Sequence, residues 1–305
     1  LAFSPGPDRP DRFPSSANVL KFAKRSTPIA EDKVDLIPSL IEGRGRGKVP
    51  RPSEDRMPRS HATLPRLFVN HDLATGGEIA LDKDQSLYLA AVLRKVVGDE
   101  VVLFNGRDGA WLCRLTSDSK KSVVLSAVEQ IAGQTPKSDL WYGFAPLKNE
   151  RLDYVVQKAV EMGAGILQPV MTQFTQVHRL KTDRLLANAI EAAEQCEVLS
   201  VPEIAPEVAL DRLLADWPEI HGDRRLIVAD EGAASSSPVA ALLALEGRPR
   251  GILIGPEGGF SDAERTKLRA LPFVVRISLG PRILRADTAA VAAMAVIQAI
   301  IGDWR

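Results

Sequence analysis

Cysteine is nearly absent from this chain of 305 residues: Cys113 and Cys196 lie far apart and belong to no CxxC pair. That scarcity excludes a disulfide framework and a cysteine-based zinc site. Histidine is almost as rare. His61, His71, His178 and His221 are scattered and form no HExxH, so no metal is expected. Net charge is missing as well, with 39 basic side chains balancing 39 acidic ones. A uniformly basic nucleic-acid coat is thereby excluded, although a local basic patch is not. No apolar run reaches the length of a membrane span. The longest, Thr288 to Ile301, carries Gln298 and falls short of the roughly 20 residues required. What remains is an ordinary soluble composition, 45% apolar and 26% charged, long enough for two domains. The expectation is a disulfide-free, cofactor-using enzyme of the cytoplasm, with no membrane association.

The first sixty residues read differently from the rest. Nine of the 21 prolines fall between Pro5 and Pro58, and no apolar period is sustained. Twelve basic residues against eight acidic ones give this stretch about +4, leaving the remainder near −4. Such a segment buries too little apolar surface to offset its ordering entropy, so residues 1–62 are expected to be disordered. It lacks the apolar core of a secretory signal and is too acidic for a transit peptide. A basic RNA-contacting arm is the functional alternative. Met57 stands just before the first ordered-looking run, which places the expected natural start at or near it.

Residues 63–135 carry short strand signals at Leu67–Val69, Glu100–Phe104, Ala110–Leu115 and Ser122–Leu125. Asn105-Gly106 and Asp108-Gly109 separate two of them, which is strong hairpin chemistry. One stretch of helical spacing, Asp84 to Arg94, lies among these strands, and together they predict a small β-barrel. Gly133 to Ser138 reads as a linker. From residue 136 to 305 strands and helices alternate. Apolar strands are predicted at Trp141–Ala145, Ile166–Val170, Leu226–Ala229, Gly251–Ile254 and Val274–Leu279. Helices lie between them, including Asn149 to Met162 and one capped by Thr182. This alternation predicts an α/β domain with a parallel sheet covered on both faces, whose ligands bind beyond the carboxyl ends of strands.

Two loops after strands carry chemistry. The first, Gly255-Pro-Glu-Gly-Gly259, follows an apolar strand and precedes Ser261-x-x-Glu264, a capping box. It has neither the Gly-Lys-Ser/Thr of a phosphate loop nor a GxGxxG. Gly258 and Gly259 permit positive φ and close approach of a ligand to the main chain, which suits an uncharged planar group such as adenine. A tight connection with a solvated Glu257 is the plainer alternative. The second loop, Leu279-Gly-Pro-Arg-Ile-Leu-Arg285, precedes a nearly all-apolar helix with an expected N-cap at Asp287 or Thr288. Arg282 and Arg285 beside a helix N-terminus are electrostatically unfavourable unless an anion binds there. A structural pairing of one arginine with Asp287 or Glu257 is the alternative.

The segments GPEGGFSDAE and LGPRILRADTA resemble the signature of the bacterial 16S ribosomal RNA uracil-N3 methyltransferases, the RsmE family of the SPOUT class. Pro65–Phe68, Val92–Arg94 with Gly98-Asp99, Gln157–Gly163 and Glu191–Gln195 agree in order, so the resemblance covers roughly residues 64–303. Two departures stand out: Asp287 occupies a place where the family more often has Glu, and Thr172-Gln-Phe-Thr175 replaces a common Ser-Glu-Arg-Ser. The resemblance implies a PUA-like β-barrel followed by a SPOUT methyltransferase domain with a deep trefoil knot, working as a homodimer. It implies S-adenosylmethionine as cofactor, contacted by Asp230, by Gly255, Glu257, Gly258 and Gly259, and by Leu279, Gly280, Ile283 and Leu284. The target implied is the uracil at position 1498 of 16S rRNA, within the 30S subunit.

On this reading Arg282 and Arg285 stabilise a developing uracil anion and a neighbouring phosphate, and Asp287 orients an arginine more readily than it takes the proton. Arg66 and Arg94 on the barrel, with Lys148, Arg151 and Lys158 on the catalytic domain, are the expected RNA contacts. Two rivals stand beside it: a SPOUT ribose 2′-O-methyltransferase, and a non-catalytic ribosome-assembly factor that binds RNA. The intact Gly258, Gly259, Arg282 and Arg285 favour the enzyme.

Overall fold

Two sheets organise the chain in a computed structural model that describes residues 61–305 apart from 149, 178, 231 and 233–236. Of the segment expected to be disordered, 1–62, residues 1–60 lie outside the described residues; His61 and Ala62 are described in a turn, where the Leu64 N–H donates to His61 O at 3.1 Å. The first sheet contains β1 (Arg66–Phe68), β2 (Glu78–Ala80), β3 (Glu100–Phe104), β4 (Ala110–Ser119) and β5 (Ser122–Ala132), in the order β1-β3-β4-β5-β2. Only β1 and β3 pair in parallel; the other neighbours are antiparallel. The β3–β4 hairpin turns where the sequence indicates. Asn105 Oδ1 accepts the N–H groups of Arg107 and Asp108 at 3.0 and 2.8 Å, while Gly106 and Gly109 take φ of 78° and 75°.

The helix expected from Asp84 to Arg94 is shorter and breaks. α1 (Lys83–Leu87) has Asp82 as its N-cap and runs into a π-helical turn, Tyr88–Val92, closed by Leu93 N–H on Tyr88 O at 2.9 Å. The wider turn buries Leu89 on the sheet and leaves Leu87, Tyr88 and Val92 exposed. Arg94 ends it at φ 55°.

β3 is buried on both faces. Val101 and Leu103 point into the core of the first sheet, with Leu89, Val123 and Leu125. Val102 and Phe104 point the other way and join the core of the second sheet, with Leu140, Tyr142 and Ile252. The unbroken apolar run of β3 is therefore the signature of a strand between two cores.

The second sheet contains β6 (Leu140–Phe144), β7 (Ala164–Met171), β8 (Glu203–Ile204), β9 (Val208–Ala209), β10 (Arg225–Ala229), β11 (Arg250–Ile254) and β12 (Val274–Ile277). Its order is β12-β10-β11-β6-β7-β8, with β9 also on β7, and every pair is parallel. The helices are α2 (Glu150–Glu161), α3 (Thr182–Gln195), α4 (Leu210–His221), α5 (Val239–Leu243), α6 (Asp262–Ala270) and α7 (Ala286–Ile301). Thr182 is the first residue of α3 and not its cap, a position held by Lys181.

One face of this sheet is covered by α2, α3, α5 and α7, and the other by α4 and α6. On the second face Trp141 and Trp217 are fully buried, edge to face, with ring centroids 5.0 Å apart. Two glycines make room for them. A Cβ at Gly143 would lie 2.2 Å from the Trp141 ring, and one at Gly251 would lie 2.8 Å from it.

Candidate active site

β12, β10 and β11 are parallel neighbours, so the segments that follow them emerge side by side at one sheet edge. They enclose a cavity of about 230 Å³. Its wall includes Asp230 after β10, Gly255, Glu257 and Gly259 after β11, and Leu279, Gly280, Ile283 and Leu284 after β12. Arg282 and Arg285 line it too, with Phe260, Arg265 and Ala289, which the sequence reading omitted. Gly258 and Asp287 do not.

The glycines divide their duties. Gly259 and Gly280 have φ of 70° and 101°, a region L side chains rarely adopt. Gly258, also expected to use positive φ, does not; its role is space, because a Cβ there would meet Phe174 at 3.2 Å. The capping box forms as expected: Ser261 Oγ accepts the Glu264 N–H at 3.3 Å and Glu264 Oε2 accepts the Ser261 N–H at 2.8 Å. Glu264 does more than cap. Its Oε1 accepts the Gln173 N–H at 2.8 Å, tying the loop after β7 to the loop after β11. That bond spans 91 positions and has no local signal in the sequence.

Asp230 is fixed by its own loop and by β12. Its carboxylate accepts from Gly232 N–H and Arg276 Nη1, both at 3.0 Å. Burial disfavours its charge, yet these two donors hold its pKa below the usual value.

Arg282 and Arg285 are exposed, and among the described residues neither meets a carboxylate within 4.0 Å. Arg285 itself occupies the N-cap position of α7, with no side-chain cap, which corrects the expectation of Asp287 or Thr288. Asp287 lies in the first turn, where its Oδ1 accepts the Thr288 N–H at 2.8 Å. The arginine paired with the loop acids is Arg151, from α2. Its Nη1 lies 3.2 Å from Glu257 Oε1 and its Nε 4.0 Å from Asp287 Oδ2.

The expected RNA contacts separate into three kinds. Arg94 and Lys148 are exposed, with no carboxylate partner among the described residues. Arg151 and Lys158 are engaged, the latter with Glu161 at 2.6 Å and over the Tyr154 ring at 5.5 Å. Arg66 departs from expectation. It is only 8% exposed, packed over Phe104 with its centre 5.6 Å from the ring. Burial pulls its pKa down against the opposing pull of Glu197 and Glu194. It belongs to the junction between the sheets, where the Phe68 N–H donates to Glu194 at 2.9 Å.

Among the described residues no group of three or more His, Cys, Asp or Glu side chains is placed to hold a metal ion. No described helix is long and apolar enough to cross a membrane.

Comparison with known proteins agrees with this geometry. A family model described as an RNA methyltransferase domain matches residues 134–298, and an RNA methyltransferase PUA domain matches residues 81–128. The Rickettsia conorii ribosomal RNA small subunit methyltransferase E is 30% identical over 234 residues, covering 76% of this chain and 94% of that protein. A methyltransferase of Legionella pneumophila, solved in complex with S-adenosylmethionine, is 28% identical with a TM-score of 0.68, covering 77% of this chain and 97% of that one. A Neisseria gonorrhoeae ribosomal RNA small subunit methyltransferase E bound to S-adenosylmethionine shares the fold at 24% identity, with a TM-score of 0.69 over 79% of this chain and all of that one. The chain therefore belongs to the ribosomal RNA small subunit methyltransferase E family of RNA methyltransferases.

Proposed function

We propose that the protein transfers a methyl group from S-adenosylmethionine to N3 of a uracil in 16S rRNA of the small ribosomal subunit, the uracil at position 1498 by family resemblance. The observation that carries the reading is the placement of two arginines without carboxylate partners, Arg282 and Arg285, on the rim of the cavity built by the three strand-end loops. The cavity fits the cofactor. Gly255, Gly259 and Gly280 expose main chain to a planar base, Leu279, Ile283 and Leu284 supply apolar walls, and no lysine invites a triphosphate. When bound, S-adenosylmethionine supplies an electrophilic methyl group on a sulfonium.

The rest falls to the chain. Uracil N3 gives its proton to solvent water and takes the methyl group as that group's C–S bond breaks and the N–C bond forms, so negative charge develops on the ring oxygens ahead of transfer. Arg285 and Arg282 sit where that charge and an adjacent phosphate are stabilised, an arrangement made stronger by the N-terminus of α7. Asp287 is turned toward Arg151 and the Thr288 N–H, outside the cavity wall, which supports an orienting role over direct proton abstraction. Arg94 and Lys148 contact RNA.

The site is completed in a homodimer whose contact face lies on α7. Thr288, Val291, Ala292, Ala295, Val296, Ala299 and Ile300 recur at helical spacing and stay partly exposed, a mostly apolar stripe suited to a second copy. The C-terminal domain carries the trefoil knot of SPOUT enzymes, and the protein acts in the cytoplasm.

The test is methyl transfer from labelled S-adenosylmethionine to 30S subunits lacking the modification, followed by nucleoside mass spectrometry. The expected product is 3-methyluridine. A ribose-methylated product, or none, overturns the assignment of N3.

A further inference from the structure

The loop after β7 presents an aromatic ring to solvent. Phe174 is 44% exposed, yet its mount is fixed on both sides. Behind it, the buried Thr175 hydroxyl accepts the Thr172 N–H and pairs with the Thr172 hydroxyl, each at 2.9 Å, while the Gln173 N–H is held by Glu264. Beside it, Gly258 leaves just the space its Cβ occupies. An exposed ring on a backbone that is already fixed loses less entropy when it meets a flat partner.

The ground in front of the ring leads to the catalytic cavity. Phe174, Gln176 and Gly258 line one concavity; Gln176, with Lys148, Arg151 and Glu257, lines a second; Glu257 lines the cofactor cavity. Gln176 and Glu257 thus border successive concavities, with cations in the middle one and Arg282 and Arg285 in the last. A π-face followed by spaced cations suits a single-stranded nucleic acid, whose bases stack while its phosphates follow positive charge.

We propose that Phe174 is a stacking platform for an unpaired base of the substrate RNA near the methylated nucleotide, a placement that rests on the rRNA methyltransferase reading above. It decides how the strand is seated; it does not touch the reacting atoms.

The test compares Phe174→Leu, which keeps the Cβ against Gly258 without a ring, with Phe174→Trp. Steady-state methylation of unmodified 30S subunits, cofactor affinity by calorimetry, and filter binding of 30S subunits are measured for each. Phe174→Leu is expected to raise KM for the subunit and weaken its binding roughly five- to tenfold, the scale of one lost base–aromatic stack. Its kcat and cofactor affinity stay within about twofold, and Phe174→Trp restores the wild-type values. An unchanged KM and unchanged subunit binding overturn the proposal, as does an equal loss of cofactor affinity, which makes the ring a mere support of the Gly255–Gly259 loop. If the wild type yields no methylated base but Phe174→Leu still binds 30S subunits more weakly, the uracil reading and the placement beside it fail, and only the stacking on subunit RNA stands. Wild-type protein that does not bind the subunit overturns both.

Discussion

Arg285 stands at the N-cap of α7 with no carboxylate partner among the described residues, so its positive charge is available for the role proposed for it, stabilising a uracil anion. Arg285→Ala is expected to lower kcat by about 10²–10³ with cofactor affinity nearly unchanged, the scale set by removal of one oxyanion-stabilising donor. Steady-state kinetics beside calorimetry check this, and an equal fall in both would count against it. Asp230 offers a pH prediction. Its folded pKa lies below the ordinary 3.8, so the stabilisation it gives is complete above that value and is lost as pH falls through the folded pKa. Urea unfolding of Asp230→Asn is expected to show a shallower acid loss than the parent. The two thiols also differ. Burial pushes both thiols up, Cys113 to about 12, but Cys113 is enclosed whereas Cys196 is open to solvent. At neutral pH a thiol reagent should label Cys196 in the native protein and Cys113 only after unfolding. At this scale the sequence told where glycines and arginines cluster, but not their partners. Arg151 meets Glu257 across 106 positions, and nothing near Arg66 in the chain announces its burial over Phe104.

Among the elements, α2 and α7 run side by side and are joined at both ends. Arg151 reaches the first turn of α7, and at the far end Gln298 Nε2 donates to Met162 O at 2.7 Å. The first link is exposed and worth no more than about 1 kcal/mol. The second is partly buried, with the Gln298 side chain inside, and Gln298→Leu strips the Met162 carbonyl of this donor. It is expected to cost roughly 1–3 kcal/mol, read as a lower urea midpoint with an unchanged slope. Most strands and helices were legible because period-2 and period-3.6 patterns survive wherever an element has one buried face. The π-helical turn was not, since Leu89 has the spacing of an ordinary helix and only the sheet beneath it decides the wider turn. β2, β8 and β9, of two or three residues, are too short to hold a period.

For the whole molecule, β3 is the decisive element. Its two faces serve two cores, so residues 63–135 removed from the chain would expose Val102 and Phe104. The isolated barrel is expected to aggregate, while residues 61–305 unfold in a single calorimetric transition. Two separate transitions would show that the shared face contributes little. The sequence marked strands in both sheets, yet a run such as Glu100–Phe104 says only that a strand is buried, not between what.

Glu264 carries a consequence for thermodynamics. One carboxylate fixes both the entrance of α6, which closes the cofactor loop, and the main chain beneath Phe174. With the proposed platform and cofactor loop, the two ligands are expected to be coupled, and coupling is reciprocal. Whatever factor S-adenosylmethionine adds to the affinity for the ribosomal subunit, the subunit must return to S-adenosylmethionine. Glu264→Gln keeps the acceptor but weakens it, and is expected to shrink both factors together.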